Sequence, residues 1–186
     1  MFGKNTTGDP IIHWGTAESK LNIGNYCTIG DNVNIFLNGG GIITKDNKWI
    51  IPLSSCSCSI SIGNDVWIGS NVTIMPGITI GDGSTIANNS RIVIDVKPYS
   101  FICGNPSRLI KYKFNKKQIR KLLKIKWWNW TDEKIQQYTP LLNGDVDIFI
   151  NTVYNKIYLL FKEVRILHLH IFQMLIFISK IAYEIV

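Results

Sequence analysis

A six-residue repeat predicts a mainly β protein that folds, for the most part, as a single-stranded parallel β-helix. Isoleucine recurs at every sixth position through the middle of the chain, at Ile62, Ile68, Ile74, Ile80, Ile86 and Ile92. Two earlier blocks, which start at Ile23 and Ile29, repeat the pattern. A period of six fits neither an α-helix nor a continuously alternating strand. It fits a triangular coil in which three blocks complete one turn.

Each hexapeptide block has room for one short strand and one corner. The isoleucine is expected to point into the prism, above the fifth residue of its block. The fifth positions are Val66, Val72, Ile78, Ser84, Ser90 and Val96. The Gly, Asn and Asp residues favour the corner conformations, and stacked coils form parallel sheets around an aliphatic column. The alternative is a β-sandwich with chance spacing, and six uninterrupted aliphatic residues at one period argue against it.

The repeat is interrupted once. Ile35 and Ile62 lie 27 residues apart, which is not a multiple of six. We therefore place a projecting loop at residues 37–59, inside a β-helix domain of residues 11–112. The loop opens with Asn38 and three glycines, which let the backbone turn sharply. Loops of this length in compact domains are usually functional or disordered.

The chain changes character after the repeat. The Gly104-Asn105-Pro106 sequence predicts a tight turn. Apolar spacing then predicts a helix from Asn115 to Trp128, and Thr131 is a candidate N-cap for a second one. We assign these C-terminal α-helices to an extension of residues 113–150.

The last segment, residues 151–186, is apolar and poorly patterned, and a helix is one interpretation of it. Its longest apolar stretch, Ile166 to Ile178, is interrupted by His168, His170 and Gln173. That stretch is too short and too polar to span a membrane. Contact with a membrane surface or with a partner subunit is the functional alternative.

The net charge of +7 is concentrated in one segment. Residues 108–126 hold nine Lys or Arg and no acid, whereas the rest of the chain is nearly balanced. A solvated helix face explains this pattern without a ligand. A polyanion is the alternative: nucleic acid, anionic lipid or the phosphates of a cofactor.

The cysteines and the N-terminus indicate a cytoplasmic protein. Four cysteines in irregular spacing do not make a disulfide framework, and we interpret them as reduced thiols. Cys56 and Cys58 stand too close together for a zinc knuckle, so no metal is expected. The first ten residues are polar, which does not match a signal peptide.

Three segments together resemble the xenobiotic acetyltransferases: the repeats from Ile62 to Pro106, the turn that ends them, and the tryptophan-rich run from Ile125 to Trp130. This hexapeptide-repeat subgroup includes streptogramin (virginiamycin A) and type B chloramphenicol acetyltransferases and is related to sugar O-acetyltransferases. The likeness spans Ile11 to Ile150. It implies a left-handed coil, a homotrimer with active sites between neighbouring prisms, and acetyl-CoA as co-substrate. The acceptor would be a hydroxyl of a sugar or small molecule.

The resemblance also implies the roles of individual residues. It places five at the cofactor groove: Ser70, Asn88, Gly104, Asn105 and Lys111. Lys111 would contact the nucleotide phosphates, which gives the basic segment a use and leaves no nucleic-acid partner to expect. Trp67 would border the acceptor site. The alternative for each residue is a plain role in the repeat.

One position departs from the resemblance. Relatives carry a histidine at the start of the loop, where it acts as general base, and here Ile42 stands in its place. Loss of a general base costs roughly 10²–10⁴-fold in rate. Three interpretations stay open: a catalytically degenerate homologue that binds CoA or serves as a scaffold, a substitute base at His13, or a shifted reading frame across the loop and the tail. No catalytic residue is assigned.

Overall fold

A computed structural model describes residues 2–15, 19–38 and 59–154. The chain divides into two compact units, Met1–Ile119 and Arg120–Val186. The described part of the first unit is built from short strands: β1 (Ile11–His13), β2 (Leu21–Ile23), β3 (Thr28–Ile29), β4 (Asn34–Phe36), β5 (Ile60–Ile62), β6 (Trp67–Ile68), β7 (Thr73–Ile74), β8 (Thr79–Ile80), β9 (Thr85–Ile86), β10 (Arg91–Ile92), β11 (Ser100–Cys103) and β12 (Arg108–Tyr112).

The strands stack into the three faces of a prism. Face one has the order β2-β5-β8, face two the order β12-β11-β9-β6-β3, and face three the order β1-β4-β7-β10. The coils pair in parallel, as Ile62 with Ile80 and Ile68 with Ile86 show. Partners 18 residues apart confirm that three hexapeptides complete one turn.

The interior of the prism is the predicted aliphatic column. All six repeat isoleucines are at most 2% exposed. The fifth positions are buried as well, including Ser84 and Ser90. Three asparagines at the corners, Asn32, Asn71 and Asn89, have φ between 55° and 59°. This is the conformation expected of corner residues, because asparagine tolerates the left-handed region better than most side chains.

The register shows where extra residues enter and where the coil begins. Ile35 pairs with Ile74, so that this coil holds 39 residues against 18 in the next one. The additional residues fall in the predicted loop. At the other end, Phe2 bridges to Ile23 and Thr7 to Thr28. The coil therefore starts before the predicted boundary at residue 11.

The prism ends in an antiparallel hairpin that the repeat did not predict. β12 reverses direction and pairs with β11, with Lys111 opposite Phe101. The predicted turn at Gly104 joins the two strands, and Gly104 has a φ of +104°, which a side chain would strain. Every residue of β12 is exposed, so the strand has no burial pattern that a sequence could reveal.

The second unit contains the C-terminal helices. Helix α1 (Lys116–Ile125) is followed by a 3₁₀ turn at Trp127–Asn129. The predicted helix over Asn115 to Trp128 is therefore too long at its end, because Lys126 adopts a left-handed φ of 45°. Helix α2 (Asp132–Leu142) begins as predicted, with the Thr131 side chain accepting a hydrogen bond from the Lys134 amide. The unit boundary falls inside α1 rather than at residue 113.

Several predictions fall outside the described residues. These are Ile42 and most of the loop, Cys56 and Cys58, and the tail from residue 155. The first four tail residues, 151–154, are helical. None of the helices in the described ranges is long and apolar enough to cross a membrane.

Candidate active site

The predicted cofactor residues gather along one edge of the prism, between faces two and three. Successive coils place residues 30–32, 69–71, 87–89 and 103–105 at this edge, which we call the Ser70 corner. The Ser70 amide donates to Asn88 Oδ1 at 3.0 Å, one coil away. Ser70 Oγ accepts from the Asp31 amide at 3.2 Å, one coil away in the other direction. A ladder of polar groups therefore runs parallel to the prism axis.

A glycine allows this ladder to pack closely. A Cβ atom built on Gly69 would clash with Asn88 Oδ1 and would stand 2.7 Å from the Asn88 amide nitrogen. Gly69 is buried in the space that the Asn88 side chain needs to reach the Ser70 amide. The glycine at the second position of this hexapeptide thus has a packing reason as well as a role in the corner.

The last predicted cofactor residues stand one coil further along. The Gly104 amide donates to Ser90 Oγ at 3.2 Å, and its carbonyl accepts from the Arg91 amide at 2.9 Å. These bonds tie the turn to the end of the prism. Asn105 follows in the same turn and is exposed. The Ser70 corner therefore extends from Asp31 to Asn105 along one edge.

Trp67 and Lys111 lie beside this edge, on face two. Trp67 pairs with Thr28 and Thr85, and Phe101 pairs with both Thr85 and Lys111. Trp67 and Lys111 therefore stand in one column across adjacent strands. Trp67 is 43% exposed, and Lys111 is exposed as well. An indole and an ammonium are thus available to a ligand that lies along face two.

His13 stands on face three, at the end of the prism opposite the hairpin. Its Nε2 lies 2.8 Å from Asn34 Oδ1. Its ring stacks on Phe36, with the centroids 4.4 Å apart and the planes 13° from parallel. Asn34 and Phe36 both belong to β4, which pairs with the strand of His13. The neighbouring strand therefore holds the imidazole in one orientation.

A second polar cluster lies on the edge between faces one and two and was not predicted. Burial raises the pKa of Asp65 to about 6, an effect that the Lys113 ammonium opposes and that the nearby Asp82 carboxylate reinforces. Lys113 Nζ donates to the Gly83 carbonyl at 2.9 Å. Burial also raises the pKa of the Tyr99 phenol, which stays neutral. The three coils that meet here are 18 or more residues apart in sequence, so no local pattern signals the cluster.

Comparisons with known proteins agree with this arrangement. A family model described as bacterial transferase hexapeptide (six repeats) matches residues 59–93. A probable macrolide acetyltransferase from Lysinibacillus sphaericus is 38% identical over 152 residues, which cover 73% of this chain and 84% of that protein. The chain belongs to the hexapeptide-repeat acetyltransferases.

Two further similarities support the assignment of this acetyltransferase. A chloramphenicol acetyltransferase from Klebsiella aerogenes is 38% identical over 138 residues, and the match covers 66% of each protein. A solved hexapeptide-repeat-containing acetyltransferase from Vibrio cholerae has a TM-score of 0.51 at 26% identity, over 61% of this chain and 62% of that one. The fold is thus the left-handed parallel β-helix that the repeat and the resemblance predicted.

The Asp65 cluster makes the stability of the acetyltransferase depend on pH. A carboxyl whose pKa is raised from 3.8 to about 6 on folding contributes stability that is full below the unfolded value and is lost as the pH rises through 6. We expect Asp65→Asn to be more stable than wild type by about 1–3 kcal/mol near pH 8, with the difference vanishing near pH 3.5. Urea denaturation across this range measures it.

A matched control is Asp9→Asn, which removes an exposed aspartate from the same unit. It is expected to change the free energy of unfolding by no more than about 0.5 kcal/mol at either pH. If Asp65→Asn were destabilised near pH 8, the attraction to Lys113 would outweigh the burial of the carboxylate, and the assigned direction would be wrong.

Proposed function

We propose that this protein is an acetyl-CoA-dependent O-acetyltransferase that acts on a hydroxyl group of a sugar or of a xenobiotic small molecule. The observation that carries the proposal is the Ser70 corner, where a polar ladder runs along the prism axis with Trp67 and Lys111 beside it. An extended pantetheine arm has amide groups at intervals along its length, and such a ladder offers it partners on successive coils. The relatives named as macrolide and chloramphenicol acetyltransferases support a small-molecule acceptor.

The proposed reaction needs binding, a base and stabilisation of developing charge. Ser70, Asn88, Gly104 and Asn105 line the path of the pantetheine arm, and Lys111 stands where the arm would meet the nucleotide phosphates. A general base takes the proton of the acceptor hydroxyl as the oxygen attacks the thioester carbonyl. Backbone amides of the groove stabilise the resulting oxyanion. The CoA thiol is the leaving group.

A homotrimer is part of the proposal. Trp67 is 43% exposed on face two and Ile94 is 54% exposed at a corner, and apolar side chains exposed on a prism surface suit an interface between subunits. Neighbouring prisms would close the groove over the cofactor. A cytoplasmic location, where acetyl-CoA is available and thiols are reduced, fits the same function.

Lys111 provides the first test of this function. Lys111→Met is expected to weaken acetyl-CoA binding about tenfold, because one charge-assisted contact to a phosphate contributes about 1.4 kcal/mol or more. Lys117→Met is the matched control, since Lys117 is an exposed lysine of the same basic segment on α1. Calorimetric titration of both variants with acetyl-CoA gives the comparison.

The pair distinguishes a local contact from a general field. If both variants weakened binding equally, the whole basic segment rather than Lys111 would attract the phosphates. If neither variant changed the affinity, the nucleotide would lie elsewhere, and the groove assignment would be wrong at this end.

A second candidate function is a CoA-binding protein or scaffold without turnover. Ile42 favours it, because an isoleucine cannot accept a proton at a position where relatives of this resemblance carry the base. The two functions differ in one readout. A scaffold binds acetyl-CoA but releases no thiol with any acceptor, whereas an enzyme releases thiol in proportion to the acceptor consumed.

A further inference from the structure

Acetyl transfer at neutral pH needs a base, and the described residues contain one imidazole. Imidazole is the side chain whose ordinary pKa lies nearest to neutrality, so it can be unprotonated before the reaction and protonated during it. The other two histidines of the chain, His168 and His170, lie outside the described residues. His13 is therefore the group of the β-helix whose geometry can be examined for this role.

The contacts of His13 set which ring nitrogen is basic. Asn34 Nδ2 donates to the Asn32 carbonyl at 3.0 Å, which directs Asn34 Oδ1 toward His13. Nε2 must then carry the hydrogen and donate to Oδ1 across 2.8 Å. The lone pair of a neutral imidazole is consequently on Nδ1. Stacking on Phe36 fixes the plane of the ring, so Asn34 and Phe36 both act as positioning residues.

A chain of asparagines joins His13 to the Ser70 corner. Asn34 contacts Asn32, and Asn32 Nδ2 donates to Asn71 Oδ1 at 2.8 Å, one coil further along. Asn71 directly follows Ser70, whose amide and hydroxyl form the polar ladder. The imidazole is thus part of one hydrogen-bonded surface that begins at β1 and reaches the candidate cofactor groove.

The length of the groove matches the reach of the cofactor. Gly104, Asn88, Ser70, Asn34 and His13 stand on five successive coils. Strands lie about 4.8 Å apart, so four steps separate Gly104 from His13 by about 19 Å along the axis. The arm between the pyrophosphate and the sulfur of CoA has about thirteen bonds and extends over about 15 Å. With the phosphates near Gly104 and Lys111, the thioester arrives within about one coil of His13.

We propose that His13 is the general base of the acetyl transfer, with Nδ1 accepting the proton of the acceptor hydroxyl. The hydroxyl oxygen bonds to the thioester carbonyl carbon as its proton passes to Nδ1. The carbon–sulfur bond then breaks, and the departing CoA thiolate takes the proton from the imidazolium. The products are an acetyl ester and free CoA. This inference rests on the proposed function, because it needs acetyl-CoA in the Ser70 corner.

The test compares two substitutions that separate chemistry from structure. His13→Gln keeps an N–H group that can donate to Asn34 but has no basic nitrogen. We expect a loss of kcat of roughly 10²–10⁴-fold with little change in acetyl-CoA affinity. His13→Ala opens a space beside Phe36, and added imidazole is expected to restore part of its rate. Asp65→Asn is the control, because it removes another group that titrates near neutrality and is expected to keep wild-type kcat.

The assay follows thiol release from acetyl-CoA with a macrolide, chloramphenicol, a galactoside and water as acceptors, beside a titration with acetyl-CoA. Undiminished kcat in His13→Gln would overturn the role of His13 and leave the proposed function intact. A wild type that binds acetyl-CoA but has no turnover would also overturn it. A wild type that neither binds nor transfers would overturn the proposed function itself. Rescue of His13→Ala by imidazole supports the inference, since a purely structural role would not respond to a free base.

Discussion

A Gly69→Ala variant is expected to bind acetyl-CoA about tenfold more weakly than wild type, equivalent to about 1.4 kcal/mol. A Cβ at position 69 would displace Asn88 Oδ1 and press on the Asn88 amide nitrogen at 2.7 Å. The hydrogen bond from Ser70 to Asn88 is then lost, and the corner must shift. Overpacking of this kind also costs about 1–3 kcal/mol of stability. Calorimetric titration with acetyl-CoA and thermal unfolding measure the two effects.

Gly15→Ala is the matched control for this prediction. A Cβ on Gly15 would meet the Leu37 side chain at 3.5 Å, an ordinary contact. We expect wild-type affinity and a change in unfolding free energy within about 0.5 kcal/mol. Unchanged acetyl-CoA affinity in Gly69→Ala, with the protein folded, would show that the Ser70 corner does not hold the cofactor.

Ile74→Ala is expected to destabilise the prism by about 2–5 kcal/mol. Ile74 is fully buried at the middle of face three, where it pairs with Ile35 and Ile92. Removing its side chain leaves a void between three coils, and the rigid stack of strands limits how far neighbours can move to fill it. Urea denaturation at one fixed protein concentration is the measurement, because subunit association would otherwise alter the apparent stability.

The same substitution at an exposed isoleucine is the control. Ile110 is 57% exposed on β12, and Ile110→Ala is expected to cost less than about 1 kcal/mol. Equal losses for the two variants would contradict the assignment of the six-residue column as the core.

Much of the fold was predictable because a β-helix repeats its coil in the sequence. Each isoleucine of the column occupies the same position on successive coils, so one period encodes strand, corner and stacking together. Ser70 and Asn88 stand 18 residues apart in equivalent positions, which is why the resemblance could place both on one edge. The hydrogen bond between them confirms that proximity.

Other features could not be predicted, for reasons that the structure makes clear. β12 is exposed along its length and carries no apolar alternation. The pairing of His13 with Asn34 joins residues 21 positions apart across the first coils, where the block length is irregular. The Asp65 cluster depends on burial among three coils, and a sequence does not state burial at a corner. In each case the missing information is which coils lie side by side.

The most direct test of the central claim is thiol release from acetyl-CoA by the wild-type protein, with and without hydroxyl acceptors. The macrolide, chloramphenicol and galactoside panel covers the proposed acceptor classes. The account predicts release that depends on an acceptor and yields one acetyl ester for each thiol formed. Absence of both acetyl-CoA binding and acceptor-dependent release would contradict it, and the prism would then be a scaffold without a cofactor.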